Sequence, residues 1–467
     1  MDQSIIFDPE LIKRYDKSGP RYTSYPTAVQ FDERFTIETY KQWIEKSNQL
    51  SRTLDAPKPI SLYFHIPFCD TVCFYCGCNK VVTKDRSRSS PYLDRLCKEI
   101  EMQAALFDGN RPVTQLHWGG GTPTFLNNDE MRRLMDCTRE HFNLVGDDLG
   151  EYSIEIDPRE ADAEKVAVLR ELGFNRMSLG IQDFNPKVQK AVNRIQSEEQ
   201  TLTVLNAARA EGFRSVSVDL IYGLPFQTAD SFRNTLDRII SVNPDRISVF
   251  NYAHLPELFK PQRRINEEDL PEPEEKLKIL QLTIEYLQQA GYLYIGMDHF
   301  AKPNDELCIA QQNDTLYRNF QGYSTHADCD LVGLGITSIS MIGDSYSQNV
   351  KSLDEYYEQV DGGQLPVYRG VDLSADDVLR REVITRLICH FHLNMPRIER
   401  EFNINFAEYF AEEMKDLQQF TDDGLIVLDD DEISVQPEGR LLIRNICMVF
   451  DYYLREKQGS QRFSKVI

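Results

Sequence analysis

The stretch ISLYFHIPFCDTVCFYCGCNK, residues 60–80, joins a short apolar, β-prone run to four closely spaced cysteines. Cys69, Cys73, Cys76 and Cys78 fall within ten residues of a chain that has ten cysteines in all. The N-terminus has no basic segment followed by an apolar run, so no secretion signal is predicted and a cytoplasmic location is expected. In that compartment, clustered cysteines more often bind metal or carry out redox chemistry than form disulfides.

The composition and charge of the chain argue against some classes of function. The formal net charge is -22, so binding of nucleic acid through a general basic field is not expected. An acidic ligand would need a local basic pocket. No apolar stretch is long enough to span a bilayer. A monomer is expected by default. The remaining cysteines lie mostly inside apolar patterns typical of reduced core residues: Cys97, Cys137, Cys308, Cys329, Cys389 and Cys447.

Strand-like and helix-like segments alternate between about residues 60 and 300. The alternation predicts an α/β fold with six or seven β-α repeats, a parallel sheet and helices outside it. Right-handed crossovers would curl this sheet into a full or partial β/α barrel, whose chemistry sits at the C-terminal strand ends. The predicted strands are 60–66, 114–118, 152–156, 176–181, 215–223, 246–252 and 292–297, and the helices are 91–107, 128–143, 161–172, 197–211 and 273–290.

The regions before and after the β-α repeats do not show the same alternation of strands and helices. Residues 1–59 are expected to form an ordered, extended arm, residues 60–300 the barrel, and residues 301–369 a barrel extension that contacts substrate or cofactor. Residues 370–467 read as mostly helical, with a hairpin at 423–435 that resembles a winged helix. Because the chain is acidic, a packing or lid role is favoured over DNA binding.

The spacing C-x3-C-x2-C of Cys69, Cys73 and Cys76 favours iron over zinc. Structural zinc takes four ligands, usually as two separated pairs, and no second pair follows downstream. Cys78 is available as a fourth ligand, but so close to the others it would strain a tetrahedral site. Three thiolates suit a [4Fe–4S] cluster with one open iron, since an all-cysteine cluster takes four. A zinc-stabilised binding module remains the alternative.

Further chemistry-bearing residues follow later strands. The run GGGTP, residues 119–123, lets the backbone approach a ligand closely, although a tight β-α turn also explains it. Glu155 ends the third strand beside Asp157 and Arg159, which are candidates for one buried pair. Parallel strand ends meet at one edge of a sheet, so these groups are expected near the cysteines.

The cysteine motif, with the aromatic Tyr75 before its last cysteine, resembles that of radical S-adenosylmethionine enzymes. In that superfamily the open iron binds S-adenosyl-L-methionine, and one electron cleaves this cofactor to a 5′-deoxyadenosyl radical. Longer blocks together resemble the oxygen-independent coproporphyrinogen III oxidase (coproporphyrinogen dehydrogenase) family along nearly the whole chain: RYTSYPTA, HIPFC, CFYCGCNK, QLHWGGGTPT, NRMSLGIQDFN, DLIYGLP, VFNYAHLP, RNFQGYST and LLIRNICM. A shorter, non-catalytic haem chaperone family, which generally lacks the CGCNK ending, is the alternative.

The resemblance implies oxidative decarboxylation of two propionates of coproporphyrinogen III to vinyl groups, giving protoporphyrinogen IX in haem synthesis. An electron donor and an electron acceptor, both unidentified, are implied as partners. A propionate β-C–H bond is unactivated, so acid–base catalysis cannot remove its hydrogen and a carbon radical is needed. The cofactor supplies that chemistry, and the protein orients and shields it.

By motif match the resemblance assigns the cluster to Cys69, Cys73 and Cys76, and a first S-adenosyl-L-methionine molecule to Tyr63, Gly120, Glu155 and Ile339. It assigns a second such molecule to Tyr75, Gly121, Thr122, Gln182, Arg194, Asp219 and Ala253, with Phe320 and Gln321 in a further stretch nearby. The catalytic candidates are Glu155 and Cys78, the latter acting near the substrate or simply packing. A substrate with four carboxylates calls for local cations, for which the candidates are Arg21, Lys80 and Arg318.

Overall fold

One large mixed sheet runs through the computed structural model, which describes residues 5–146 and 148–456. Its strands and those of three small sheets are β1 (Ile60–Ile66), β2 (Phe68–Cys69), β3 (Val81–Val82), β4 (Pro112–Gly120), β5 (Asn143–Leu144), β6 (Glu151–Ile156), β7 (Arg176–Gln182), β8 (Ser215–Tyr222), β9 (Arg246–Asn251), β10 (Leu293–Gly296), β11 (His299–Ala301), β12 (Tyr317–Asn319), β13 (Gly322–Ser324), β14 (Asp330–Leu334), β15 (Ile339–Met341), β16 (Ser345–Asn349), β17 (Val367–Asp372), β18 (His392–Asn394), β19 (Ile426–Leu428) and β20 (Glu432–Val435).

Seven parallel strands form the centre of the large sheet, in the order β9-β8-β7-β6-β4-β1-β14. Strand β1 is apolar and buried along nearly its whole length, as expected for a strand covered on both faces. Antiparallel strands continue the sheet at both edges, and the order ends at β10 and β17 without closure. The predicted α/β fold with a partial barrel is therefore confirmed.

The helices that cover this sheet and complete the chain are α1 (Pro9–Arg14), α2 (Ile37–Ser51), α3 (Ser89–Ala104), α4 (Asn128–His141), α5 (Ala163–Glu171), α6 (Pro186–Ala191), α7 (Glu198–Ala210), α8 (Ala229–Val242), α9 (Pro273–Gln289), α10 (Glu306–Gln312), α11 (Leu353–Asp361), α12 (Ala375–His390), α13 (Met395–Phe402), α14 (Phe406–Tyr409), α15 (Ala411–Asp422), α16 (Ile443–Val449) and α17 (Tyr452–Glu456). Several begin with a capping box, in which the N-cap side chain and the third helical residue exchange hydrogen bonds, as at Asn127 and Ser197.

Two expectations about the edges of the barrel are wrong. The segment 292–297 does not extend the parallel series, because Gly296 and Met297 have positive φ and turn the chain back into β11, which pairs antiparallel with β9. The N-terminal region is not extended throughout: Thr36 caps the 15-residue helix α2, whose Tyr40 and Ile44 are buried. Residues 18–25 do lack helix and strand, apart from one isolated bridge residue.

The C-terminal region contains the predicted hairpin, β19 and β20, joined by β18 into a three-stranded sheet among helices. It contacts the N-terminal segment: Arg444 of α16 donates from Nε to the Pro20 carbonyl at 3.0 Å, and Asn445 donates to the Tyr15 carbonyl at 2.9 Å.

Within the described ranges, no helix combines the length and apolarity needed to cross a bilayer. All ten cysteines are free thiols, and Cys308, Cys329, Cys389 and Cys447 are buried.

A buried ion pair fixes the N-terminal end of β14 beside β1. Arg111 and Asp330 are almost completely buried, and their side chains meet at 2.5 Å. Lys58 also reaches Asp330, at 2.6 Å. Burial would raise the pKa of Asp330, but the charge and hydrogen bond of Lys58, the hydrogen bond from Ser47 and the charge of Arg111 together hold it below its ordinary value. The carboxylate therefore stays charged in the folded chain.

The substitution Asp330→Asn keeps the shape of this side chain and removes its charge. Arg111 would then be a buried cation without a carboxylate partner, a change that costs about 3–5 kcal/mol in comparable sites. The midpoint of urea unfolding, followed by circular dichroism, should fall clearly. Glu171→Gln, which breaks the exposed pair of Arg132 and Glu171, is the matched control and should leave the midpoint unchanged. Equal midpoints for Asp330→Asn and the control would contradict this prediction.

Candidate active site

A cavity of about 320 Å³ opens at the C-terminal ends of the parallel strands. We call it the cysteine cavity. Most of the residues expected to act together line it, although they come from six different parts of the chain. These residues are Cys69, Cys73, Tyr75, Cys76, Cys78, Gly120, Gly121, Thr122, Glu155, Gln182, Arg194 and Asp219, and Lys80 lies among them. The convergence follows from the parallel sheet, which brings the C-terminal ends of its strands to one edge.

The cysteine loop is tied at its base by backbone hydrogen bonds. The short strands β2 and β3 pair in parallel, so the loop leaves and rejoins the barrel at one place. The Val81 amide donates to the Pro67 carbonyl at 2.7 Å, and the Thr83 amide to the Cys69 carbonyl at 2.9 Å. The three cysteines of the C-x3-C-x2-C motif therefore project from a closed loop directly after β1.

The glycine turn at the end of β4 lies against the base of that loop. The Gly121 amide donates to the Ile66 carbonyl and the Thr122 amide to the Phe68 carbonyl, both at 2.8 Å. A Cβ at Gly121 would lie 2.6 Å from the Pro67 carbonyl oxygen, and Gly120 has φ 113°. Glycine is needed at Gly121 because the backbone of Pro67 leaves no room for a Cβ atom. It is needed at Gly120 because of the positive φ angle there.

Glu155 is held at the end of β6 by two donors. The Gly120 amide donates to its carboxylate at 3.2 Å, and His117 Nε2 lies 3.4 Å from it. Burial would raise the pKa of Glu155, but the hydrogen bond and charge of His117, together with the amide of Gly120, hold it below the ordinary value. Glu155 is therefore a fixed anionic acceptor on the cavity wall.

Two guanidinium groups face the sulfur of Cys73. Arg159 and Arg194 each lie 3.6 Å from this sulfur, and both also bind Asp157, at 2.7 and 3.0 Å. Burial would raise the pKa of Asp157, but the charge of Arg194 and the hydrogen bonds of Arg159 lower it to about 2. Two cations and one carboxylate therefore leave a net positive charge beside the sulfur of Cys73.

The comparisons with known proteins agree with this geometry. The radical SAM superfamily profile matches residues 63–239, and the HemN C-terminal domain profile matches residues 373–442. The oxygen-independent coproporphyrinogen III oxidase of Pseudomonas aeruginosa is 57% identical over 470 residues, covering 100% of both chains. That of Escherichia coli is 52% identical and covers 100% of this chain and 99% of its own.

The chain belongs to the oxygen-independent coproporphyrinogen III oxidase family. The solved structure of the Escherichia coli coproporphyrinogen III oxidase, described as a radical SAM enzyme, superposes with a TM-score of 0.91. It is 51% identical and covers 97% of this chain and 100% of that chain. The family predicted from the sequence motifs is therefore confirmed, and membership of the radical SAM superfamily implies a [4Fe–4S] cluster and S-adenosyl-L-methionine.

The residues of the cavity fit these two groups. The thiols needed for three iron ligands line one wall, and Arg159 and Arg194 supply positive charge against thiolates. Two polar atoms that line or adjoin the cavity are buried without a hydrogen-bond partner among the described residues: Gln182 Oε1 and Arg194 Nε. Gln182 also has φ 68°, an uncommon angle for a residue other than glycine. A polar ligand in the cavity would satisfy such atoms.

Cys78 lies beside Cys76 at the end of the loop. The hydrogen bond of the Cys78 thiol, followed by the charge of Lys80, lowers the pKa of Cys76 to about 5, whereas burial raises that of Cys69 to about 11. Lys80 donates to the carbonyls of Cys76 at 3.0 Å and of Cys78 at 3.4 Å, so it closes this end of the loop.

Five of the expected residues do not line the cysteine cavity. Tyr63 stacks on His117 at 5.8 Å and belongs with Ile339 and Phe320 to a small apolar cluster. Ala253 lines a neighbouring cavity of about 370 Å³, and Gln321 lines a third one of about 210 Å³. The third cavity shares Glu155, Ser178, Asp219 and Phe250 with the cysteine cavity, so the two adjoin.

The sequence analysis missed three site residues. His117 binds Glu155 and stacks on Tyr63, and His65 Nε2 lies 3.0 Å from the Asn79 carbonyl at the end of the cysteine loop. Both histidines alternate with apolar residues near the ends of strands β4 and β1. This alternation with a period of two places them on the opposite face of the strand from their apolar neighbours, and it could have identified them from the sequence. Ser178 donates to Asp219 at 2.8 Å. Arg159 and Asp157 form the pair for which the sequence makes them candidates.

Gly121→Ala should displace the cysteine loop, because the new methyl group would meet the backbone of Pro67 and Phe68 within 3 Å. Overpacking of this kind costs about 1–3 kcal/mol, and here the strain falls on the segment that carries Cys69. Iron per chain after anaerobic reconstitution should fall. Gly109→Ala is the matched control, since nothing lies within 4 Å of a Cβ there. Full iron content in Gly121→Ala would sink the idea that this contact positions the loop.

Proposed function

We propose that this chain catalyses the oxidative decarboxylation of two propionates of coproporphyrinogen III to vinyl groups, giving protoporphyrinogen IX. The observation that carries the proposal is the cysteine cavity, in which three thiols face Glu155, Gln182 and Arg194 at the strand ends of a chain that matches the family over its full length. When bound, the cluster and S-adenosyl-L-methionine supply the 5′-deoxyadenosyl radical that removes a propionate β-hydrogen.

The chain's own residues hold and shield the reacting groups. Cys69, Cys73 and Cys76 would provide the cluster's three protein ligands. Glu155 and the Gly120 backbone would receive the polar end of a first S-adenosyl-L-methionine molecule, with Tyr63 and Ile339 packed behind them. Support comes from the fixed position of the Glu155 carboxylate, which accepts hydrogen bonds from His117 and Gly120.

A second S-adenosyl-L-methionine molecule would occupy the side of the cavity formed by Tyr75, Gly121, Thr122, Gln182, Arg194 and Asp219, with Ala253, Phe320 and Gln321 nearby. Support comes from the unpartnered atoms Gln182 Oε1 and Arg194 Nε on this side. Burial, with a further contribution from the charge of Glu155, raises the pKa of Asp219 to about 6. A cationic ligand beside Asp219 would favour its ionised form.

The chaperone alternative requires haem binding without turnover. The relatives described above carry the name of the oxidase, and this chain retains the CGCNK ending, so we favour the enzyme. Cys78 is proposed to act near the substrate rather than as an iron ligand, and Glu155 as a catalytic candidate beside the cofactor. The electron donor and acceptor, the monomeric state and the cytoplasmic location stay predictions.

A turnover assay tests the reaction. Protein purified without oxygen and reconstituted with iron and sulfide is given coproporphyrinogen III, S-adenosyl-L-methionine and a reductant. We expect protoporphyrinogen IX and 5′-deoxyadenosine to form together. Cofactor cleavage without decarboxylation would reject the substrate, and tight haem binding without either product would favour the chaperone.

The two cysteine roles are separated by Cys73→Ser and Cys78→Ser. Cys73→Ser should lose most of the bound iron, because a serine hydroxyl does not replace a thiolate ligand of iron. Cys78→Ser should keep the iron and the cluster absorbance while turnover falls. Equal loss of iron in both variants would reject the assignment of three ligands.

A further inference from the structure

The second cavity, of about 370 Å³, lies at the ends of β8 and β9 beside the cysteine cavity. Its wall combines Tyr222 and Asn251 from these strands with Arg21 from the N-terminal segment and Arg444 from α16. Phe250 lines the cysteine cavity, and the Arg21 guanidinium lies 5.9 Å from the centre of its ring. Arg21 of the second cavity therefore lies close to Phe250 of the cysteine cavity.

The charge of this wall is opposite to that of the chain. Arg21, Lys276 and Arg444 contribute three cations, whereas Asp298, paired with Arg21, contributes one carboxylate. The chain as a whole has a formal net charge of -22. Like charges gathered in a partly enclosed cavity repel one another, and an anionic ligand offsets that repulsion.

Arg444, on α16, is the most deeply buried of the three cations that line this cavity. Arg444 is only 4% exposed and donates to the carbonyl oxygens of Gly19 and Pro20. Burial, and then the charge of Arg21, lowers the pKa of Arg444 to about 10. An anion bound in this cavity would offset the repulsion from Arg21 and favour the charged form of Arg444.

Arg318 extends the positive region toward the third cavity. It is 7% exposed, and its Nε and Nη1 have no hydrogen-bond partner among the described residues. Its guanidinium lies 4.7 Å from the ring centre of Tyr323, which lines the third cavity together with His299. Burial, and then the charges of Arg318 and Arg21, lower the pKa of His299 to about 3. A buried guanidinium with unused donors is costly without an anion.

We infer that Arg21, Lys276 and Arg444 bind carboxylates of the substrate, and that Arg318 adds to the same anion-binding region. The inference rests on the proposed function, which supplies a ligand with four carboxylates. Two propionates react, so two remain available as anchors throughout. Guanidinium groups bind carboxylates through paired hydrogen bonds, and anchors beside Phe250 would hold the ring system with a reacting propionate toward the cysteine cavity.

Arg21→Gln and Lys276→Gln test this region from two different elements, so that displacement of the N-terminal segment cannot explain both results. Each should raise the KM for coproporphyrinogen III by about tenfold or more, since a charge-assisted hydrogen bond is lost. Each should also weaken binding of coproporphyrin III, followed by quenching of its fluorescence, to a similar degree. Iron content and reductant-driven cleavage of S-adenosyl-L-methionine without substrate should stay unchanged.

Arg444 is buried, so Arg444→Lys, which retains the charge, is the suitable variant there and should show a smaller rise in KM than Arg21→Gln. Arg263→Gln removes an exposed cation outside this cavity and is the control, with KM and binding expected to match the wild type.

Wild-type values of KM and coproporphyrin III binding in both Arg21→Gln and Lys276→Gln would overturn the inference. A wild-type protein that binds coproporphyrin III without any turnover would overturn the proposed function instead. In that case the fluorescence comparison between the wild type and the two variants still decides whether these cations bind carboxylates.

Discussion

The contact between the glycine turn after β4 and the base of the cysteine loop determines where the cofactor chemistry takes place. Two amides of the turn, those of Gly121 and Thr122, bind carbonyls at the start of the loop, at Ile66 and Phe68. The contact joins backbone to backbone, so it depends on the parallel pairing of β1 with β4 rather than on any flexible side chain. The thiols are thereby fixed relative to β1 and β4, two neighbouring parallel strands in the centre of the sheet.

Local positive charge inside an acidic chain is the second constraint on the site. Arg159 and Arg194 face the sulfur of Cys73, and Arg21 and Arg444 face the adjoining cavity. Thiolates and propionates are both anions, and each would be disfavoured in a cavity that shared the overall charge of -22. The cations therefore lie where the proposed ligands need them, while the acidic surplus lies elsewhere.

Most of the cysteine cavity could be predicted from the sequence, because the ends of parallel strands meet at one edge. Glu155, Gln182 and Asp219 lie in the C-terminal halves of the successive strands β6, β7 and β8 and converge for that reason. The pairing of β14 with β1 could not be predicted, since their partners are separated by some 270 residues and carry no local signal. Lys276 and Arg444 were missed because they lie on helices, and which face of a helix meets a cavity depends on tertiary packing.

The cavity that we assign to substrate carboxylates exists only when both ends of the chain are in place. Arg444 donates to the backbone at Gly19 and Pro20, and Tyr22 donates to Asp451, so the C-terminal helices hold the segment that carries Arg21. Arg21 in turn binds Asp298, which follows the reversal at Gly296 and Met297. The C-terminal helices therefore have a structural role: they hold the N-terminal segment that lines the second cavity.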